Sequence, residues 1–228
     1  MLIYGVLMCG GKGTRIKSVI GSETEKPLIR IKNKPFIVYL INALNHANSF
    51  EKIFAAVSNN TQKTREFLNA NFQNKIVLLE TAGIGYSEDY LTVIKYFKNT
   101  KFEKEKEKES ECKKKILFLP IDIPLISPEI LKQIIQLHQE KPCLTIIIEK
   151  DFVKNHGIMS SSYEFMFDQK NCCYSGISLI DVSKINVDDC NRVQLIEEEY
   201  VILNKSEIAC NVNTFKDLKI AENLMGYF

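Results

Sequence analysis

Apolar residues recur along the chain with two alternating periods, and each period predicts a different element. Leu2–Met8 is a short apolar run that ends against glycines, as a buried strand does. Pro35–Ala47 carries Phe36, Ile37, Leu40, Ile41 and Leu44 on one helical face, with Pro35 in the first turn, where a missing N–H costs nothing. Ile53–Val57 and Lys75–Leu79 read as strands. Thr61–Phe72 and Ser87–Lys98 read as helices capped by Thr61 and Ser87, with Glu88 and Asp89 in the positive first turn of the second. Ile116–Ile121 is too apolar for a one-sided sheet and suits a strand covered on both faces. Ser127-Pro128-Glu129 opens a helix through about His138, and Leu144–Ile148 is a β-branched strand. Residues 150–173 read as irregular, Tyr174–Asp181 and Tyr200–Leu203 as strands. Thr214 and Asp217 form a capping box that opens a last helix, burying Leu218, Ala221 and Leu224 or Met225.

This alternation of β and α argues for a mostly parallel sheet with helices on both faces. Right-handed crossovers then place every strand's C-terminal end at one edge, where ligands bind in such folds. The loops to inspect begin near residues 9, 58, 80 and 120. The length of 228 residues suits one domain over 1–228. Residues 101–115, KFEKEKEKESECKKK, form a charged low-complexity run, read as a solvated excursion.

Composition narrows the class. Thirty Lys and Arg against 28 Asp and Glu leave a net charge of +2, which gives no general field for nucleic acid or membrane. Apolar stretches such as Ile116–Ile121 and Phe36–Ile41 fall far below the roughly 20 residues of a membrane helix. Seven cysteines without a C-x-x-C, and only three scattered histidines, indicate a reduced cytoplasmic protein without a zinc site.

Candidate chemistry begins at Cys9-Gly10-Gly11-Lys12-Gly13-Thr14-Arg15. A glycine loop after a buried strand lets successive N–H groups face an anion, and Lys12 and Arg15 add charge. It is not a Walker A loop, because Gly13 follows Lys12, and not a dinucleotide fingerprint, because Ile16 stands where the third glycine belongs. Glu25-Lys26-Pro27-Leu28 follows. The pairing of G-G-x-G-x-R with a later K-P-L resembles the signature of the nucleoside-triphosphate transferases, which have a Rossmann-like three-layer α/β/α fold. The resemblance implies that Gly10, Gly11, Lys12, Gly13, Thr14 and Arg15 surround a triphosphate. It also implies that Arg15 and Lys26 act in catalysis, with Lys26 at the reacting phosphorus.

Two further segments extend the resemblance. Asp122 follows an apolar strand, where a carboxylate is expensive without a compensating cation. In the family the corresponding aspartate is catalytic and holds Mg²⁺. Asn211-Val212-Asn213-Thr214-x-x-Asp217-Leu218 looks like the family's terminal segment, in which Asn211 and Asn213 would lie near metal and phosphates. With Ser58-Asn59-Asn60-Thr61-x-Lys63-Thr64 and Glu80-Thr81-Ala82-Gly83-Ile84-Gly85-Tyr86, the whole is similar to the archaeal GTP:adenosylcobinamide-phosphate guanylyltransferases. The resemblance implies attack of adenosylcobinamide phosphate on the α-phosphorus of GTP, with pyrophosphate leaving. An ionised phosphate needs no general base, so positioning and charge cancellation suffice. Guanine offers N1–H and N2–H₂ donors on one edge, which Glu80 or backbone carbonyls near Gly83 and Gly85 would accept, and Asn59 and Thr61 would reach ribose or base. The alternatives are a molybdenum-cofactor or sugar-1-phosphate nucleotidyltransferase, or a non-catalytic GTP-binding protein. Exposed strand edges near 174–203 would allow a homodimer, and the corrinoid would lie over residues 150–180.

Overall fold

Strand β1, Leu2–Met8, is buried along its whole length and sits inside the sheet. The computed structural model describes residues 1–14, 16, 24–101, 113–158, 163–185 and 196–226. Arg15 and most of the 101–115 run therefore lie outside the described residues.

On one side β1 pairs in parallel with β4 (Lys52–Val57), which pairs in parallel with β5 (Ile76–Glu80). Between β1 and β4 the chain forms a two-strand hairpin, β2 (Arg30–Ile31) and β3 (Lys34–Pro35), then helix α1 (Phe36–Ala47). Pro35 ends β3 and caps α1 rather than entering its first turn. α1 stops at Asn48, whose left-handed backbone (φ 50°) ends the helix. α2 (Gln62–Phe72) joins β4 to β5, and α3 (Tyr86–Asn99) leads from β5 to β6 (Lys114–Pro120), on the other side of β1. That return across the sheet puts α3 on the opposite face from α1 and α2. α1 packs with α4 (Pro128–Ile135) over one face through Ile37, Leu40, Leu44 and Leu131. α3 covers the other with Tyr90, Val93, Ile94 and Phe97 against Tyr4, Phe54 and Phe118. The result is a Rossmann-like three-layer α/β/α arrangement.

The second half departs from the sequence expectation in one segment. The described residues between 150 and 173 are not irregular. After β7 (Cys143–Glu149) they form a short helix, α5 (Lys150–Asn155), then β8 (Glu164–Phe167) and the first part of a long strand, β9 (Lys170–Asp181). A positive-φ pair, Asp168 and Gln169, makes the turn. β9 runs antiparallel to β6, β7 and β8. β10 (Glu198–Ile202) pairs in parallel with β7. The sheet order is β10-β7-β9-β6-β1-β4-β5, with β8 on β9. Residues 174–181 thus lie inside the sheet, and within the expected 174–203 region only β10 is an edge among the described residues. The chain ends with α6 (Ser206–Ala209) and α7 (Phe215–Leu224), the latter opened by the Thr214–Asp217 capping box. Among the described residues no helix is long and apolar enough to cross a membrane.

Two predictions follow from this framework. Lys114 Nζ donates to the carbonyls of Phe97 and Thr100, each at 2.9 Å, which holds the end of α3 beside the start of β6. Replacing residues 103–111 by a short Gly-Ser linker should therefore preserve the thermal midpoint, since halving a loop changes closure by only about 0.6 kcal/mol. A lowered midpoint shows that the run docks on the domain.

Burial also pushes Cys143 up to about 11 and Cys210 up to about 12, and holds the Cys9 thiol above the usual range. The unfolded chain ionises these thiols near 9.0, while the fold keeps them protonated. Their stabilising effect is complete below that pH. Urea stability should fall as pH rises beyond it, by up to about 1.4 kcal/mol per pH unit for each thiol. A flat urea midpoint from pH 8 to pH 11 refutes this.

Candidate active site

The ends of β1, β4, β5 and β6 converge on one edge of the sheet, and a two-lobed cleft opens there. Met8, Gly11, Gly13, Thr14 and Tyr86 line both lobes. One lobe, about 240 Å³, adds Lys26, Asp122 and Asn213. The other, about 330 Å³, adds Gly10, Lys12, Gly83, Ile84, Gly85 and Asp89.

The glycine loop is held from below by two other strand-end loops. The Gly10 carbonyl accepts from Ser58 Oγ at 2.8 Å and from Asn60 Nδ2 at 3.2 Å. Asn60 Nδ2 also donates to the Gly83 carbonyl at 2.8 Å. The Gly83 N–H in turn donates to Asp89 Oδ1 at 2.9 Å. Loops after β1, β4 and β5 are thereby locked together. Gly83 has φ +65°, and a Cβ there would fall 2.4 Å from both Asn60 Nδ2 and Ser58 Oγ. A Cβ on Gly11 would meet nothing within 4 Å, so that backbone faces the open cleft, where a phosphate can approach its amides.

Lys26 belongs to a single 3₁₀ turn, Lys26–Leu28. Its ammonium donates to Asp122 Oδ2 and to Asn213 Oδ1, both at 2.8 Å. Asn211 Nδ2 donates to the other Asp122 oxygen and to the Ser175 carbonyl, both at 3.3 Å. The Val212 N–H donates to the Asp122 carbonyl at 2.8 Å. Asp217 Oδ2 accepts from the backbone N–H groups of Asn213 and Thr214, which fixes the segment that carries Asn213. The Lys26 and Asp122 side chains are 12% and 14% exposed, so the pair is largely shielded yet borders the cleft. Lysine, carboxylate and two amides from three distant segments thus meet at one point.

Several expected residues fall elsewhere. The Thr61 hydroxyl is buried and accepts from the Ser58 N–H at 3.1 Å, completing a capping box with Ser58. It therefore supports the loop and does not reach into the cleft. Asn59 is exposed, outside the lining residues. The Glu80 carboxylate pairs with Arg65 of α2, which draws it away from the cleft, and its side chain is 61% exposed. Ser87 does not cap α3; the helix starts a residue earlier behind Gly85. Ser58, Asn60 and Tyr86 stood within the sequence motifs without an assigned role. The buried Asp89 occupies the cleft side that Glu80 was expected to serve.

Among the described residues no group of three or more His, Cys, Asp and Glu side chains could hold a metal ion alone. One carboxylate beside an amide oxygen still fits a hard cation that takes its remaining ligands from phosphates and water.

Residues 5–169 match the MobA-like NTP transferase domain. The chain belongs to this family. The MobA-like match stops just before β9, so Asn211 and Asn213 come from beyond it. The chain is also 28% identical to an adenosylcobinamide-phosphate guanylyltransferase of Methanocaldococcus jannaschii, covering 96% of each chain. It is 23% identical to a D-glycero-alpha-D-manno-heptose 1-phosphate guanylyltransferase of Campylobacter jejuni, covering 94% of this chain and 92% of that protein. A transferase structure from Thermus thermophilus superposes with a TM-score of 0.65 at 14% identity, covering 96% of this chain and all of that one, and shows the shared fold.

The brace at Gly83 generates a direct test. Gly83→Ala forces a left-handed backbone and a clash with Asn60 and Ser58. It should cost about 2 kcal/mol or more in urea unfolding and weaken GTP binding. Unchanged stability and binding would show that the three loops are not coupled.

Proposed function

We propose that this nucleotidyltransferase transfers GMP from GTP to adenosylcobinamide phosphate, forming adenosylcobinamide-GDP and pyrophosphate. The observation that carries the chemistry is the meeting of Lys26, Asp122 and Asn213 beside a backbone loop open to phosphate. The corrinoid acceptor rests on the likeness to the Methanocaldococcus protein along nearly the full length of both chains.

In this reading the amides around Gly11 and Gly13, with Lys12 and Arg15, hold the triphosphate. An oxygen of the acceptor phosphate forms a bond to the α-phosphorus of GTP. The bond from that phosphorus to the pyrophosphate oxygen breaks, and pyrophosphate carries away the electron pair. Lys26 offsets the charge that builds on the α-phosphoryl oxygens, an effect that exists only if its ammonium is already aimed there. Asp122 would hold Mg²⁺, which would supply charge cancellation on the phosphates. Two named guanylyltransferases among the relatives support guanine as the base. Its edge would be read in the lobe of Gly83, Ile84, Gly85 and Asp89. Asp89 Oδ1 already accepts the Gly83 N–H, so its second oxygen and nearby backbone carbonyls are the acceptors left for the base.

The test is pyrophosphate release from GTP with Mg²⁺ and, in separate arms, adenosylcobinamide phosphate, a heptose 1-phosphate or no acceptor. Release should require the corrinoid phosphate; release with the sugar phosphate alone would transfer the assignment to sugar activation. ATP should be a poor donor. Lys26→Ala should lower kcat by on the order of 10² while GTP binding changes far less. Asp122→Asn should abolish the normal metal titration. Parent-like kinetics in both variants would remove this constellation from the reaction.

A further inference from the structure

The carboxylate of Glu25, the residue immediately before Lys26, does not face the cleft. It is 9% exposed and reaches instead to the start of α2. Oε1 accepts the Lys63 N–H at 2.9 Å. Oε2 accepts the Thr64 N–H at 2.7 Å and the Thr64 hydroxyl at 2.6 Å. The opening N–H groups of a helix have no partner within it and carry the positive end of its dipole. The residue that precedes α2, Thr61, leaves them unserved, because its hydroxyl is committed to Ser58. A carboxylate from 38 residues upstream takes that place. Charge-assisted bonds of this kind are the stronger class.

The position of the clasp matters more than its presence. On the other side of Lys26, Pro27 is buried and fixes φ, and the Leu28 N–H closes the turn on the Glu25 carbonyl at 2.9 Å. Lys26 thus leaves a backbone that is immobilised before and after it. A lysine side chain has a flexible four-carbon stem, so a fixed origin is what lets its ammonium arrive at one place. The Ser58–Thr61 loop that leads into α2 also holds the glycine loop through Gly10. One carboxylate therefore links the origin of Lys26 to the support of the phosphate loop.

We propose that Glu25 is a positioning residue for Lys26: its clasp on the N-terminus of α2 sets the point from which Lys26 reaches Asp122 and Asn213. The kinetic side of this proposal rests on the transfer reaction proposed above; the placement of Lys26 does not.

The experiment reads placement and turnover separately in the full-length chain. Limited acetylation of nucleotide-free protein, followed by mass spectrometry, gives the labelling rate of Lys26 relative to the other lysines. In the parent, Lys26 should label slowly. In Glu25→Ala it should label several-fold faster while lysines distant from α2 keep their rates. The same variant should lose roughly tenfold or more in kcat with little change in KM for GTP, as a misplaced group does. Glu25→Gln, which retains an acceptor, should restore part of both effects. Unchanged Lys26 labelling in a folded Glu25→Ala protein, with only a lower thermal midpoint, overturns the proposal and leaves Glu25 as a helix cap. If Glu25→Ala does not fold, Thr64→Val removes one of the three bonds; faster Lys26 labelling supports the proposal, and parent-like labelling overturns it. A parent without transferase activity refutes the proposed reaction, while the labelling comparison still decides the role of Glu25.

Discussion

The ammonium of Lys26 donates to Asp122 and to Asn213, 96 and 187 residues away in the sequence, and so draws together parts of the chain that share no local structure. None of the three side chains would be stable alone at this depth. A carboxylate in such a place needs a cation or hydrogen-bond donors, and Asp122 has the ammonium on one oxygen and the Asn211 amide on the other. Removing one member strands the others, which is more costly than the pair's net contribution suggests. The strand order follows the same constraint. β6 delivers Asp122 beside the glycine loop because it is β1's neighbour, and the Val212 N–H on the Asp122 carbonyl brings the last segment over that strand end.

A second constraint is division of labour among acidic and hydroxyl groups. Ser58, Thr61, Asp89 and Asp217 all accept backbone N–H groups of the loops, leaving Lys26 and the open glycine amides to face an anion. Around the cleft, these acidic groups are thus turned toward the scaffold. Glu80 illustrates the same economy: Arg65 draws it to the solvent side.

Much of this was legible in the sequence because it is written in local patterns. The buried strands β1 and β6 are apolar runs, α1 has one continuous apolar face, and the Thr214–Asp217 capping box forms as its spacing predicts. The glycines before Lys26 point to a loop that lines the cleft. The misses have physical causes. α5 has six residues and β8 four, too short to establish a period, and the turn from β8 into β9 uses Asp168 and Gln169 rather than glycine. Glu80 lies at the predicted strand end, but spacing alone does not reveal that Arg65 will claim it. Thr61 caps a turn that no periodicity announces. Glu25 acts on a helix 38 residues downstream, and no local pattern carries that pairing.

The antiparallel strand β9 has a consequence for how the molecule is made. β1, β4, β5 and β6 can assemble on the ribosome once Pro120 has emerged, because the pairings among these four strands need no residue beyond that point. The other half of the sheet cannot join them until Asp181 is out, since β9 is the strand that bridges β6 to β7. During that interval the nascent chain carries a finished half-sheet whose β6 edge is unpaired. That edge belongs to one of the most apolar stretches of the sequence and is the kind of template on which strands of other chains add. A pause in translation within residues 121–181 would prolong the exposure of that edge.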